Sequence, residues 1–204
     1  MPTVDKVTRT APRLLTWGVA REIFTVGHST HPIEQFIRIL KAHAIEQLVD
    51  VRTIPRSRCN PQFNSEALAA SLNDAGIQYR HMAGLGGLRH PQRDSINTGW
   101  RNASFRGYAD HMQTPAFQRD LQTLMDLASK KATAIMCAEA VPWRCHRSLI
   151  ADALVARGIE VQEILTAAKS QPHKLTPFAK VEGTSVTYPG VSDSKNLELK
   201  FDGP

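Results

Sequence analysis

A chain of 204 residues accommodates one domain with short extensions, and a hydrophobic content of 42% is enough to build its core. Its net charge of +6 comes from 25 basic against 19 acidic residues, with arginine outnumbering lysine 16 to 9, a balance that favours bidentate recognition of phosphate or carboxylate. Three cysteines in neither a CxxC pair nor an even framework argue against a disulfide-stapled secreted scaffold, and the apolar run at 14–20 is too short for a signal peptide or a membrane span, so a cytoplasmic protein without membrane partners is expected.

The first 21 residues read as a flexible extension. Glu22-Ile-Phe-Thr-Val then forms a short β-rich run ending at Gly27-His28-Ser29-Thr30. Thr30 is placed to cap a helix that has Pro32 in its first turn and Ile33, Phe36, Ile37 and Leu40 at helical spacing. Gln47-Leu-Val-Asp-Val predicts a second strand, 52–64 a loop, 65–75 a helix stopped by Gly76, and Ile77-Gln-Tyr-Arg-His a third strand. From Met82 to Gln113 the chain is rich in Gly, Arg, His and Asn and reads as a long binding loop or lid. Thr114-Pro115 opens another helix, with Phe117, Leu121, Leu124, Met125 and Ala128 on one side. Ala132-Thr-Ala-Ile-Met-Cys-Ala is a strand that runs into Glu139-Ala-Val-Pro-Trp-Arg-Cys-His-Arg and then into a helix closed by Gly158. Val161 to Leu165 is a final strand, and Pro- and Gly-bearing sequence beyond it predicts a flexible arm, giving an α/β domain over 22–178 and a flexible tail over 179–204.

Strands alternating with helices predict a mainly parallel sheet with helices on both faces, a three-layer, Rossmann-like fold without a dinucleotide fingerprint. Ligands of such sheets collect outside the carboxyl ends of the strands. That rule gathers four loops on one rim: 27–30, 52–57, 85–88 and 137–147.

The densest chemistry lies in the last of these. Glu139, in a loop stiffened by Pro142 and held near Arg144 and Arg147, is expected to stay ionised and act as general base or nucleophile, or else to serve as a structural partner of an arginine. Cys145, beside His146 and Arg147 near a helix start, suits a thiolate nucleophile or an inert buried thiol, whereas Cys137 at the end of an apolar strand reads as core. His28 at a strand's carboxyl end is a proton shuttle or an incidental residue of a capping turn. Arg52, Arg56 and Ser57, in a loop restrained by Pro55, form an expected anion clamp with Arg147, or a solvated basic face. Ser29, Arg106, Tyr108, His146 and His173 complete the expected substrate- and anion-binding set, with Trp100 and Tyr108 as stacking surfaces. Neither GxxxxGK nor GxGxxG is present, so no nucleotide cofactor is expected. No metal is expected either: CxxC and HExxH are absent, and adjacent Cys145 and His146 do not readily face one ion from a helix.

Thr25-Val-Gly-His-Ser-Thr, Asp50-Val-Arg-Thr-Ile-Pro-Arg-Ser, Phe105-Arg-Gly-Tyr-Ala and Cys137-Ala-Glu-Ala-Val-Pro-Trp-Arg-Cys-His-Arg together resemble the family catalogued as domain of unknown function 488, over about 23–178. His173-Lys-Leu-Thr-Pro-Phe is similar to that family's closing motif. The resemblance implies a fold and leaves the reaction to the residues. These predict an enzyme on a phosphate-bearing substrate, a nucleotide or nucleic acid, that hydrolyses or transfers a glycosyl group through Glu139. The alternatives are a non-catalytic nucleic-acid-binding module and thiol chemistry at Cys145. Oligomeric state stays open.

Overall fold

The computed structural model describes residues 22–190; the expected extension at 1–21 and the last part of the expected tail, 191–204, lie outside the described residues. Strand β1 (Glu22–Gly27) leads to helix α1 (Ile33–Ala42), β2 (Gln47–Asp50), α2 (Ser65–Asp74) and β3 (Gln78–His81). Helices α3 (Ala103–Met112) and α4 (Pro115–Ala128) precede β4 (Thr133–Cys137) and α5 (Arg147–Val155). Strands β5 (Glu160–Thr166), β6 (Lys169–Pro172), β7 (Lys180–Glu182) and β8 (Ser185–Thr187) follow.

Six strands form one sheet in the order β3-β2-β4-β1-β5-β6, parallel throughout except for β6, which runs antiparallel to β5. Side chains alternate between two cores, as the strand period requires. Leu48, Ala134 and Met136 join α1 and α2 through Phe36, Leu40, Leu68 and Leu72. Val49 and Ile135 join α3, α4 and α5 through Tyr108, Leu121, Leu124 and Leu149 on the opposite face. The chain is thus the three-layer α/β fold its alternating pattern predicts. Central β2 is buried at all four residues, whereas edge strand β3 is largely exposed.

The strand order also fixes where a ligand can sit. From β1 the chain crosses over β4 to β2, and from β4 it crosses β1 to β5, so neighbours β1 and β4 send their connections in opposite directions. This reversal marks the carboxyl ends of β1 and β4 as the place where a ligand of such a sheet binds.

Four expectations are corrected. Thr30 is exposed and caps nothing; α1 begins after Pro32 without a side-chain cap. The segment read as a lid contains α3, capped by Asn102, whose side chain accepts the backbone N–H groups of Ser104 and Phe105. Gly107 lets that helix touch the preceding loop, since a Cβ there would lie 2.5 Å from the His90 backbone. Trp100 is packed among Phe105, Phe178 and Tyr188 instead of closing over a substrate. Finally, the tail expected from residue 179 forms the β7–β8 hairpin, and Val186 and Tyr188 enter the core.

Candidate active site

Loops after β1, β2 and β4, with Gly87, Leu88 and the start of α3, enclose a cavity of about 670 Å³ at the expected rim. The β1 and β4 loops are stitched past the strand ends: the His28 N–H donates to Cys137 O at 3.0 Å and the Ser29 N–H to Ala138 O at 2.9 Å. Gly27 permits this approach, because a Cβ on it would stand 2.1 Å from Glu139 O. Two lining residues without glycine's freedom, Ser29 (φ 48°) and Leu88 (φ 52°), occupy the left-handed region. Such backbone is held only where its surroundings over-determine it, and it clusters at functional sites.

Arg52 lines the cavity but is already engaged. Its Nε and Nη2 donate to Asp50 at 2.9 and 2.6 Å, Nη2 also to Phe63 O at 2.7 Å, and Nη1 to His28 Nε2 at 3.2 Å. Tyr79 donates its hydroxyl to the same Asp50 carboxylate at 2.9 Å. The anion clamp expected of Arg52 is therefore corrected to a buried internal pair. His28 donates from Nδ1 to Ser29 O at 2.8 Å and stacks on Phe63 with centroids 4.0 Å apart, so both its nitrogens are in use. Burial, and after it the Arg52 charge, hold its pKa below the ordinary histidine range. A neutral imidazole locked this way positions Arg52 better than it shuttles protons.

Arg147 is also corrected. It is 1% exposed, is not part of the cavity lining, and donates Nη2 to Glu139 O at 2.8 Å and Ala140 O at 3.0 Å, which fixes the loop that carries Glu139, while its Nε and Nη1 are buried without a partner. Glu139 itself lines the cavity, half-buried, with Oε1 accepting the Val141 N–H at 3.2 Å. Among the described residues its carboxylate makes no ion pair, which removes the structural-partner alternative. Arg56 and Arg144 are exposed on the lining and are the cations available to a ligand. Ser29 and Ser57 line the cavity, Ser57 tied by its N–H to Asn64 Oδ1 at 2.7 Å.

Other expected contacts fall elsewhere. Arg106 lies on α3 outside the cavity lining, its Nε buried without a partner. Tyr108 reaches the cavity by its ring, but its buried hydroxyl donates to Leu85 O at 2.8 Å, and burial pushes its pKa up. His173 borders a second cavity and bridges Glu163 and Asp152, each at 2.8 Å.

The core reading of Cys137 is corrected, whereas Cys145 takes the buried alternative. Cys137, the last residue of β4, emerges half-buried on the cavity, while Cys145 is 4% exposed. A hydrogen bond from Cys145, then the nearby His146, hold the Cys137 thiol well below the usual range. The same bond and burial push Cys145 up. Cys145 is extended (φ −130°, ψ 143°) and only His146 turns into the helical region at the start of α5, so the sulfur atoms of Cys137 and Cys145 and a ring nitrogen of His146 all lie within 4.8 Å of one another. The legible clue was position: a strand's last residue leaves the apolar layer and faces the rim.

No curated protein and no solved structure matches the chain. The family model described as domain of unknown function DUF488 matches residues 32–154, from the start of α1 into α5, and takes in Arg52, Cys137, Glu139, Cys145 and His146; the chain belongs to that family.

Proposed function

We propose that the chain is a hydrolase of phosphate-bearing substrates, a nucleotide or a nucleic-acid end, working in a reducing, cytoplasmic compartment. The observation that carries this reading is one unpaired carboxylate, Glu139, sharing a cavity with two exposed arginines, Arg56 and Arg144, at the switch point of a parallel sheet. The arginines hold the anion. Glu139 takes a proton from a water molecule, whose oxygen bonds to the electrophilic phosphorus or carbon; the bond to the leaving group breaks, and the leaving group receives the proton. Two-carboxylate glycosyl chemistry fits less well, because Glu139 is the one acid lining the cavity among the described residues and Asp50 is consumed by Arg52 and Tyr79.

The test is turnover of a panel of nucleotides, phosphomonoesters and short oligonucleotides. Glu139→Gln is expected to lower kcat about 100- to 10,000-fold with binding retained. A nucleic-acid-binding module would show instead salt-steep binding lost in Arg56→Ala/Arg144→Ala and no turnover sensitive to Glu139. That result would overturn the hydrolase.

A further inference from the structure

We propose that Cys137, Cys145 and His146 bind one zinc-type divalent ion whose fourth coordination position opens on the cavity. Their ligand atoms lie within 4.8 Å of one another, with Cys145 Sγ 3.8 Å from His146 Nδ1. Bonds of about 2.3 Å to sulfur and about 2.0–2.1 Å to nitrogen put tetrahedral S–S and S–N separations near 3.8 and 3.6 Å, so the cluster closes on an ion by movements of about 1 Å or less.

The surroundings prepare the donors for that role. His146 donates Nε2–H to Val51 O at 3.0 Å, which fixes the tautomer and leaves the Nδ1 lone pair toward the thiols, the outer hydrogen bond that ligating histidines characteristically make. Gly87 keeps the space over that nitrogen open, since a Cβ would approach Nδ1 to 3.1 Å. Two sulfurs and an imidazole, with no carboxylate among them, select a borderline-soft ion over magnesium or calcium. All three residues line the cavity, so the site has the open form of a catalytic centre.

This deepens the hydrolase reading and rests on it for its role: the ion would hold and acidify the attacking water, and Glu139, two residues from Cys137, would carry its proton. Two sulfurs, one histidine and a non-ligating glutamate form the donor set by which zinc deaminases activate water on a base.

The test is metal content of the full chain, expressed with zinc, desalted and assayed by plasma mass spectrometry, with chelator competition for affinity. One zinc per chain is expected. Cys137→Ser and His146→Ala, shown folded by circular dichroism, should each lower zinc affinity about 100-fold or more. Cobalt-loaded protein should show a thiolate-to-metal charge-transfer band that Cys137→Ser abolishes. Zinc no higher than background, or retention equal in wild type and both variants, would overturn the proposal. Zinc held by a protein whose turnover ignores Glu139→Gln supports the site while sinking the hydrolase; Glu139-dependent turnover by zinc-free protein does the reverse.

Discussion

Arg52 Nη2 stands 2.6 Å from Asp50 Oδ2, with side-chain exposures of 7% and 0%. A charge so far out of water is tolerable only while paired. The pair, with His28 and Phe63 O on the same guanidinium, forms the wall from which the β2 loop projects Arg56 into the cavity. Asp50→Asn strands the guanidinium and is expected to destabilise the fold by about 3–5 kcal/mol, read from urea unfolding. A wild-type midpoint in that variant would show that the pair is not a structural necessity.

His173 gives stability a pH signature. Asp152 and Glu163 hydrogen bonds overcome desolvation and raise its pKa to about 9 from 6.5. A raised folded pKa stabilises fully below the unfolded value and loses that contribution as pH climbs through the folded one. His173 therefore contributes roughly 3 kcal/mol at pH 6, lost between about pH 6.5 and 9. Glu163 is shifted down, by the His173 hydrogen bond foremost against burial, so its share is present above 4.5 and lost on acidification. Maximum stability from this cluster falls between about pH 4.5 and 6.5, and His173→Gln should flatten the alkaline limb of melting temperature against pH. An unchanged limb would refute the assignment.

Much of this architecture is written in local pattern. Buried β4 is a near-continuous apolar run, β2 centres on Leu48 and Val49, and α1 and α4 repeat their apolar residues at helical spacing, so the layers follow directly. Helix α3 carried the same signal in Phe105, Tyr108, Ala109 and Met112, hidden by the surrounding glycines and arginines. The site was legible as a place and not as a set of roles. An arginine two residues past an aspartate looks the same whether it meets a ligand or folds back on that aspartate, as Arg52 does. Arg147 turns its Nη2 on carbonyl oxygens, which leave no trace in sequence. His173 finds its acids on α5 and β5, distant in the chain.

Tyr188 tests whether the C-terminal hairpin belongs to the domain. Its hydroxyl donates to Asp152 Oδ2 at 2.8 Å, and the residue is fully buried. Tyr188→Phe removes one donor from a buried carboxylate and is expected to cost about 1–3 kcal/mol. Truncation after 178, which also withdraws Val186 from the core, should lower the melting temperature further. A truncated chain as stable as the full one would return this segment to the status of a loose arm.

Gly27 links fold and chemistry most directly. A methyl group there meets Glu139 O at 2.1 Å and Ala140 Cα at 2.8 Å, all backbone, so no side-chain rotation relieves the clash and the loop bearing Glu139 must move. Displacing a catalytic group by about 1 Å costs on the order of 100-fold in rate, and the overpacking costs about 1–3 kcal/mol. Gly158 supplies the control: its φ of +75° makes an alanine strained by about 1 kcal/mol, yet nothing lies within 4 Å of the added methyl. Gly158→Ala should thus melt earlier but turn over normally, whereas Gly27→Ala should lose turnover beyond what its melting temperature explains. Equal activity in the two variants would mean that the contact between the β1 and β4 loops does not set the position of Glu139.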